Sequence, residues 1–298
     1  MIIVGAGPAG ITASVYAARK RMDFLVITKD IGGQTAISAD IENYSGYKFI
    51  TGPELVEKFK EHMEQFNVAI REDEAVALVK KSGDIVEIET DKGKYRARTA
   101  IIASGRIPRE LGAEGEDKFK HRGVTYCATC DAPLFADVDV AVIGGGNSGL
   151  DAVLQAVRIA SRIYLIEIGP ELGADTIMVE QAERSGKVSI YTNTKVEKIY
   201  GDTFVRGITV SRSGKAEDIP VHGVFVEIGY VPVSDFVNGV EKNEMGEIIV
   251  NSRCETNVPG IFAAGDVTDV YGKQIIVACG EGVKATLAAF EYLSRSEH

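Results

Sequence analysis

Two glycine-rich turns set 139 residues apart constrain this 298-residue chain more than any other feature of its sequence. The first opens the chain. Met1-Ile-Ile-Val runs into Gly5-Ala-Gly7-Pro8-Ala9-Gly10, followed by an alanine-rich helical stretch to Lys20 and a second apolar run, Phe24-Leu-Val-Ile-Thr28. The second copy runs from Val138-Asp-Val-Ala-Val-Ile into Gly144-Gly145-Gly146-Asn147-Ser148-Gly149. A helical stretch to Ile159 follows, and then Ile163-Tyr-Leu-Ile-Glu167. Gly5, Gly7, Gly10 and Thr28 map onto Gly144, Gly146, Gly149 and Glu167 at that constant offset. Each copy is closed by an apolar strand ending in G-x-x-P, at Gly105-Arg-Ile-Pro108 and at Gly229-Tyr-Val-Pro232. A single G-x-G-x-x-G is weak evidence, because glycine turns between strand and helix are common. Two copies with matching flanks are strong evidence.

Each turn has the same physical logic. The first glycine permits the tight turn, the second lets backbone approach a pyrophosphate, and the third lets helix pack on strand. The anion then sits on the unpaired N–H groups of the helix N-terminus. The strand–helix–strand alternation predicts an α/β chain of two Rossmann-like, three-layer nucleotide-binding domains, the second inserted into the first. A length near 300 fits two domains at about 150 residues each.

The two sites are expected to take different ligands. Glu167 lies 18 residues beyond Gly149, close to the roughly 20 at which an acid bonds ribose hydroxyls. Such a carboxylate repels a 2′-phosphate, and Ile168 to Glu183 contains no Lys or Arg to receive one, so NADH is expected over NADPH. The alternative is a solvated strand-end carboxylate. The first copy has Thr28 at this position. A later apolar strand ends in Gly265-Asp266, where an Asp can bond a ribityl or ribose hydroxyl or simply complete a turn.

Composition removes other classes. With 33 basic and 43 acidic residues the net charge is −10, and the longest basic run is Arg19-Lys20-Arg21. A protein that tracks nucleic-acid phosphates needs clustered positive charge. No apolar run approaches the 18 residues of a membrane span, and no signal-peptide pattern opens the chain. A soluble, cytoplasmic protein is expected.

Four cysteines occur, at 127, 130, 254 and 279. Cys127-Ala-Thr-Cys130 lacks the second ligand pair that zinc requires, so no metal is expected. Two inert buried thiols are one reading; a redox pair is the better one, since C-x-x-C favours the thiolate that attacks disulfides. Asp131 is the adjacent candidate acid. A hydride-donating nicotinamide and a dithiol need a converter, and a flavin in the first domain supplies that chemistry.

Together these residues resemble the low-molecular-weight thioredoxin reductase family over nearly the whole chain. The resemblance is carried by Gly5–Gly10, Gly32-Gly33-Gln34, Glu42-Asn43-Tyr44, Cys127–Asp131, Gly144–Gly149 and Ala264-Gly265-Asp266-Val. It implies FAD on residues 1–109 and 240–298, and NAD(H) on 110–239. FAD contacts are implied for Gly5, Gly7, Pro8, Ala9, Gly10, Gly33, Gln34, Asn43, Gly265, Asp266, Lys273, Gln274 and Ile275. For NAD they are implied at Gly144, Gly145, Gly146, Asn147, Ser148, Gly149, Glu167 and Gly229. It also implies Cys130 as the sulfur facing the flavin, Cys127 as the attacking sulfur and Asp131 as the acid. Hinges are implied near Arg109-Glu110 and Val237-Asn238-Gly239.

A basic motif typical of NADPH-using members is missing from Glu167-Ile-Gly-Pro-Glu-Leu-Gly-Ala-Asp175. Here, and at Lys273-Gln-Ile-Ile and Cys254-Glu-Thr-Asn, the chain is similar to the NADH-using reductase portion of alkyl hydroperoxide reductase flavoproteins. Those carry an extra N-terminal thioredoxin-like domain that is not in this sequence, so a separate thioredoxin- or glutaredoxin-like carrier is expected. A homodimer is expected on the same resemblance. The alternatives are a stand-alone reductase for a peroxiredoxin system, a peroxide-forming NADH oxidase, and a non-catalytic nucleotide or metal sensor.

Overall fold

The computed structural model describes residues 1–38, 40–41, 43–126 and 128–295, with backbone only at 37, 40, 129 and 130. The chain forms two compact units, residues 1–107 with 231–298, and residues 108–230.

In the first unit the strand Ile2–Ala6 lies between Leu25–Ile31 and Ala100–Ile102, with Ile261–Ala263 and Ile70–Arg71 at the edges, all parallel. Ile2–Ala6 and Ala100–Ile102 carry no polar side chain, and Leu25–Ile27 is likewise apolar, because both faces of the sheet are covered there. The alternation of side chains across a strand divides them between the two faces. Ile3, Val26, Ile101 and Phe262 pack with Ala13, Ala285 and Ala289 of the helices Pro8–Arg19 and Ile275–Arg295. Ile2, Val4, Ile27 and Ile102 pack with Val79, Val86 and Ile88. These come from an antiparallel layer of Val76–Ser82, Ile85–Thr90 and Lys94–Ala97. The two helices approach closely: a Cβ at Gly282 would lie 2.1 Å from the Ala9 carbonyl oxygen.

The second unit repeats this plan. Asp139–Ile143 lies between Arg162–Ile166 and Gly223–Val226, with Val188–Tyr191 and Val124–Thr125 at the edges, again all parallel. Val140, Val142, Ile163, Leu165 and Phe225 face Leu150 and Val153 of the helix Asn147–Ala156. Ala141, Ile143, Ile166 and Val224 face Val196, Ile208 and Val210 of an antiparallel layer, Thr194–Gly201, Val205–Arg212 and Lys215–Ile219. Leu165 is fully buried; truncating such a residue to Ala costs about 2–5 kcal/mol. The α/β architecture is as expected.

The chain passes between units at 107/108 and 230/231, within the short paired strands Arg106–Pro108 and Tyr230–Pro232. The second crossing lies upstream of the expected 239/240. Residues 231–239 are held in the first unit, where Val237 is buried in the core. Val79 N–H also donates to Phe236 O (2.7 Å) and Asn238 N–H to Val79 O (2.9 Å). Among the described residues, no helix is long and apolar enough to cross a membrane.

Candidate nucleotide and redox sites

The two glycine turns have the same geometry residue by residue. Gly5 has φ +99°, and a Cβ there would lie 2.4 Å from Ala103 O; Gly144 has φ +118°, with Glu227 O at 2.3 Å. A Cβ at Gly10 would sit 1.9 Å from Gly5 O, and one at Gly149 would sit 1.8 Å from Gly144 O. Gly7 and Gly146 differ from these, because among the described residues no atom beyond the adjoining ones lies within 4 Å of the Cβ position of either. The first and third glycines are therefore demanded by the protein's own packing. The second opens onto space, which is what a cradle for a dinucleotide pyrophosphate requires.

Gly7 and Gly146 are also the N-caps of the following helices. Neither has a side-chain cap, and neither helix has an acidic residue in its first turn. The first N–H groups of a helix lack intrahelical partners and favour an anion. Both sites thus fit the diphosphate of a dinucleotide such as FAD or NAD(H).

Thr28, in the middle of the first unit's second strand, and Glu167, just after the corresponding strand of the second unit, brace these turns. Thr28 Oγ1 accepts from Ala6 N–H (3.1 Å) and donates to Asp30 O (2.5 Å). Glu167 accepts from Gly145 N–H through Oε2 and from Gly169 N–H through Oε1, each at 2.6 Å. The carboxylate expected to take ribose hydroxyls is therefore already tied to the glycine turn through both of its oxygens. Asn147 Oδ1 accepts from Asp175 N–H at 2.8 Å, anchoring the same helix start.

In the first unit several expected contacts converge. A Cβ on Gly33 would be 3.5 Å from Gly7 Cα, and one on Gly265 would be 3.0 Å from Ala9 Cβ. Gln34 lies in the short helical turn Gly33–Ile37. Asn43 Nδ2 donates to Gln274 Oε1 at 3.0 Å across 231 residues of sequence. Ile275 opens the last helix and packs with Ile41, Ile50 and Leu55. Asp266 pairs with Arg106, Oδ2 to Nε 3.0 Å. Lys273 is engaged within the protein, its Nζ 2.8 Å from Glu247 Oε1 and donating to the Thr268 carbonyl.

Cys127 lies outside the described residues. Cys130 falls in the helical turn Ala128–Asp131, whose Ala128 is buried in the core beside the Asn147–Ala156 helix; its side chain is outside the description. Asp131 is oriented by Thr125, whose Oγ1 donates to Asp131 Oδ2. Cys254 and Cys279 are both buried. Burial pushes the Cys254 thiol up to about 12 and raises Cys279 as well, so neither forms a ready thiolate.

Two residues of these sites carry no motif in the sequence. Arg106 is an interior position of G-x-x-P. Glu227 stands where the first copy has Ala103, a lone charge in Val224-Phe-Val-Glu-Ile. Burial pushes its carboxyl up to about 7, opposed by a hydrogen bond from the backbone of Ala128 in the cysteine turn.

The family model for pyridine nucleotide-disulphide oxidoreductases matches residues 1–282. The chain belongs to this family. The alkyl hydroperoxide reductase F protein of Escherichia coli K12 is 40% identical over 305 residues, covering 100% of this chain and 58% of that protein. A protein named NADH dehydrogenase in Bacillus subtilis is 39% identical over 300 residues, covering 99% and 59%. The chain therefore spans somewhat over half the length of these curated relatives. Among solved structures, thioredoxin reductase of Lactococcus lactis in its FR conformation superposes with TM-score 0.83 at 33% identity, covering 99% and 98% of the two chains. Thioredoxin reductase of T. acidophilum gives 0.80 at 37%, covering 100% and 98%. The α/β fold and the resemblance to thioredoxin reductases are thus established. Membership of the family implies FAD and a pyridine nucleotide, and both glycine cradles suit such ligands.

Proposed function

We propose that this oxidoreductase takes electrons from NADH, in preference to NADPH, and delivers them through FAD and the Cys127–Cys130 disulfide to a thioredoxin- or glutaredoxin-like protein. The observation that carries the reading is one cradle geometry occurring twice, open only at Gly7 and Gly146, in a chain whose second unit also bears a C-x-x-C.

Gly5, Gly7 and Gly10, with Gly33, Gly265 and the Asn43–Gln274 pair, hold FAD in this reading; Gly144 to Gly149, Glu167 and Gly229 hold NADH. When bound, FAD supplies the two-electron chemistry that links a hydride donor to a disulfide. Glu167 supports NADH through its charge at the strand end, and Ile168 to Glu183 offers no cation for a 2′-phosphate. In the reduced protein the Cys127 thiolate attacks one sulfur of the partner's disulfide. The other partner sulfur leaves and takes a proton, with Asp131 as the acid. Cys130 then attacks Cys127, restoring the Cys127–Cys130 disulfide and releasing the partner as a dithiol. Thr125 fixes the Asp131 carboxyl for this role. We infer a homodimer working in the cytoplasm, where thiols are kept reduced.

Anaerobic titration should consume two NADH per flavin in the wild type and one in Cys130→Ser. Steady-state kcat/KM should favour NADH over NADPH by at least about tenfold, or ~1.4 kcal/mol. A single equivalent in the wild type would overturn the disulfide step, and a ratio favouring NADPH would overturn the role of Glu167. The name NADH dehydrogenase on a relative makes direct peroxide formation the second reading; under it Cys130→Ser keeps full turnover with oxygen and no disulfide protein is reduced.

A further inference from the structure

Four ionic side chains from three stretches of the first unit meet around Asp266. Arg106 Nε lies 3.0 Å from Asp266 Oδ2, and Lys273 Nζ lies 2.8 Å from Glu247 Oε1. These side chains are only 11–29% exposed. Lys273 also reaches the carbonyl oxygen of Asp266 at 3.5 Å, and Asn243 Nδ2 donates to Glu247 Oε2 at 2.7 Å. Two cations and two anions cancel, the condition under which partly buried charges are tolerated. Burial pushes the Glu247 carboxyl up, but hydrogen bonds from Lys273 and Asn243 outweigh it, aided by the field of Arg106, and hold it below the usual carboxylate range. Arg106 therefore acts on both anions.

The two cations divide the work. Lys273 is committed to Glu247 and to loop carbonyls, whereas Arg106 pairs with the side chain of Asp266 at Oδ2. Arg106 lies in the strand Arg106–Pro108 and so approaches from outside the Asp266 loop. It fixes the carboxylate where the loop alone would leave a rotatable side chain.

We propose that Arg106 is a positioning residue of the FAD site: its guanidinium fixes and charge-balances Asp266, so that one carboxylate oxygen is presented to a hydroxyl of the cofactor. The proposal rests on the reading of the first unit as the FAD holder. Its loss leaves a partly buried carboxylate both unbalanced and free to rotate, and cofactor affinity falls as a result. Arg106 acts through Asp266, so its contribution disappears once Asp266 no longer carries charge.

The test is FAD dissociation from the full-length protein, read by recovery of free-flavin fluorescence, for Arg106→Met, Asp266→Asn, the double variant and Arg106→Lys. Arg106→Met should weaken FAD by about tenfold, equivalent to ~1.4 kcal/mol. The double variant should be no worse than Asp266→Asn alone, the non-additivity of two residues acting as a unit. Arg106→Lys should restore part of the loss. Wild-type affinity in Arg106→Met, or losses that add in the double variant, would overturn the proposal. Should Arg106→Met not fold, Arg106→Gln is read by the same criteria in both backgrounds. A wild-type protein that neither carries nor takes up FAD would overturn the functional reading beneath it, an outcome distinct from normal uptake with an inert Arg106.

Discussion

Gly7 and Gly10 stand three residues apart, yet a methyl group meets opposite surroundings at each. At Gly10 it would run into the Gly5 carbonyl oxygen at 1.9 Å, an overpacking that costs about 1–3 kcal/mol or more. At Gly7 it enters open space. Gly10→Ala should therefore lower Tm even without cofactor, whereas Gly7→Ala should leave the Tm of the apoprotein unchanged and weaken FAD at least about tenfold. Equal losses of apoprotein Tm would refute the assignment of Gly7 to a ligand. Glu227 gives a prediction in pH. Its carboxyl moves from an ordinary 4.5 to about 7 on folding, so the folded protein keeps a proton that the unfolded chain has released. That contribution is complete below pH 4.5 and is lost as pH rises through 7. The shift corresponds to about 3 kcal/mol. Glu227→Gln, which keeps an acceptor for the Ala128 N–H, should gain stability relative to wild type between pH 5 and pH 8. A stability difference that does not vary with pH would count against it. Glu227 and Arg106 were illegible in the sequence because a single charge beside apolar residues carries no periodic signal. The glycines were legible because each answers to a steric demand that no other residue meets.

Elements formed by repetition were legible, and those formed by tertiary packing were not. The central strands announce themselves as short apolar runs because they are covered on both faces. The antiparallel layers are wet on one side: Val79, Val86 and Ile88 are buried, while Lys80 and Glu87 pair across the strands at 3.1 Å on the other face. Such brief alternation is hard to separate from loop, and neither layer was anticipated. The segment 231–239, expected by resemblance in the second unit, packs with the first because Val237 lies in that core, a placement only tertiary packing reveals. Local chemistry is clear in the helix Gly52–Gln65. Thr51 and Glu54 form a reciprocal capping box, Thr51 N–H donating to Glu54 Oε2 at 3.0 Å and Glu54 N–H to Thr51 Oγ1 at 3.4 Å. Thr51→Ala should cost about 1 kcal/mol in denaturant unfolding. Thr51→Ala with Glu54→Ala should lose less than the two single costs combined; strict additivity would show that the box does not act as a pair.

At the scale of the molecule, each large core is drawn from one unit alone, the clusters around Ile3 and Val4 from residues 1–107 with 231–298 and those around Ala141 and Val142 from 108–230. The contiguous segment 108–230, produced by itself, should unfold cooperatively in urea and bind NADH but not FAD. A non-cooperative transition would refute its independence. The two sheets share a spatial order but differ in where their outer strand originates: Val124–Thr125 comes early in its unit, whereas Ile261–Ala263 comes near the end of the chain. Synthesis on the ribosome feels this asymmetry. The insert has all its strands once residue 226 has emerged, while the first 107 residues wait for the last strand and for the helix ending at Arg295. At about 5–20 residues per second that delay is roughly ten to forty seconds. Over the last 69 residues of that wait, from 226 to 295 and so about three to fourteen seconds, the nascent chain carries a finished nucleotide-type fold behind an unfinished one whose apolar strands need shelter.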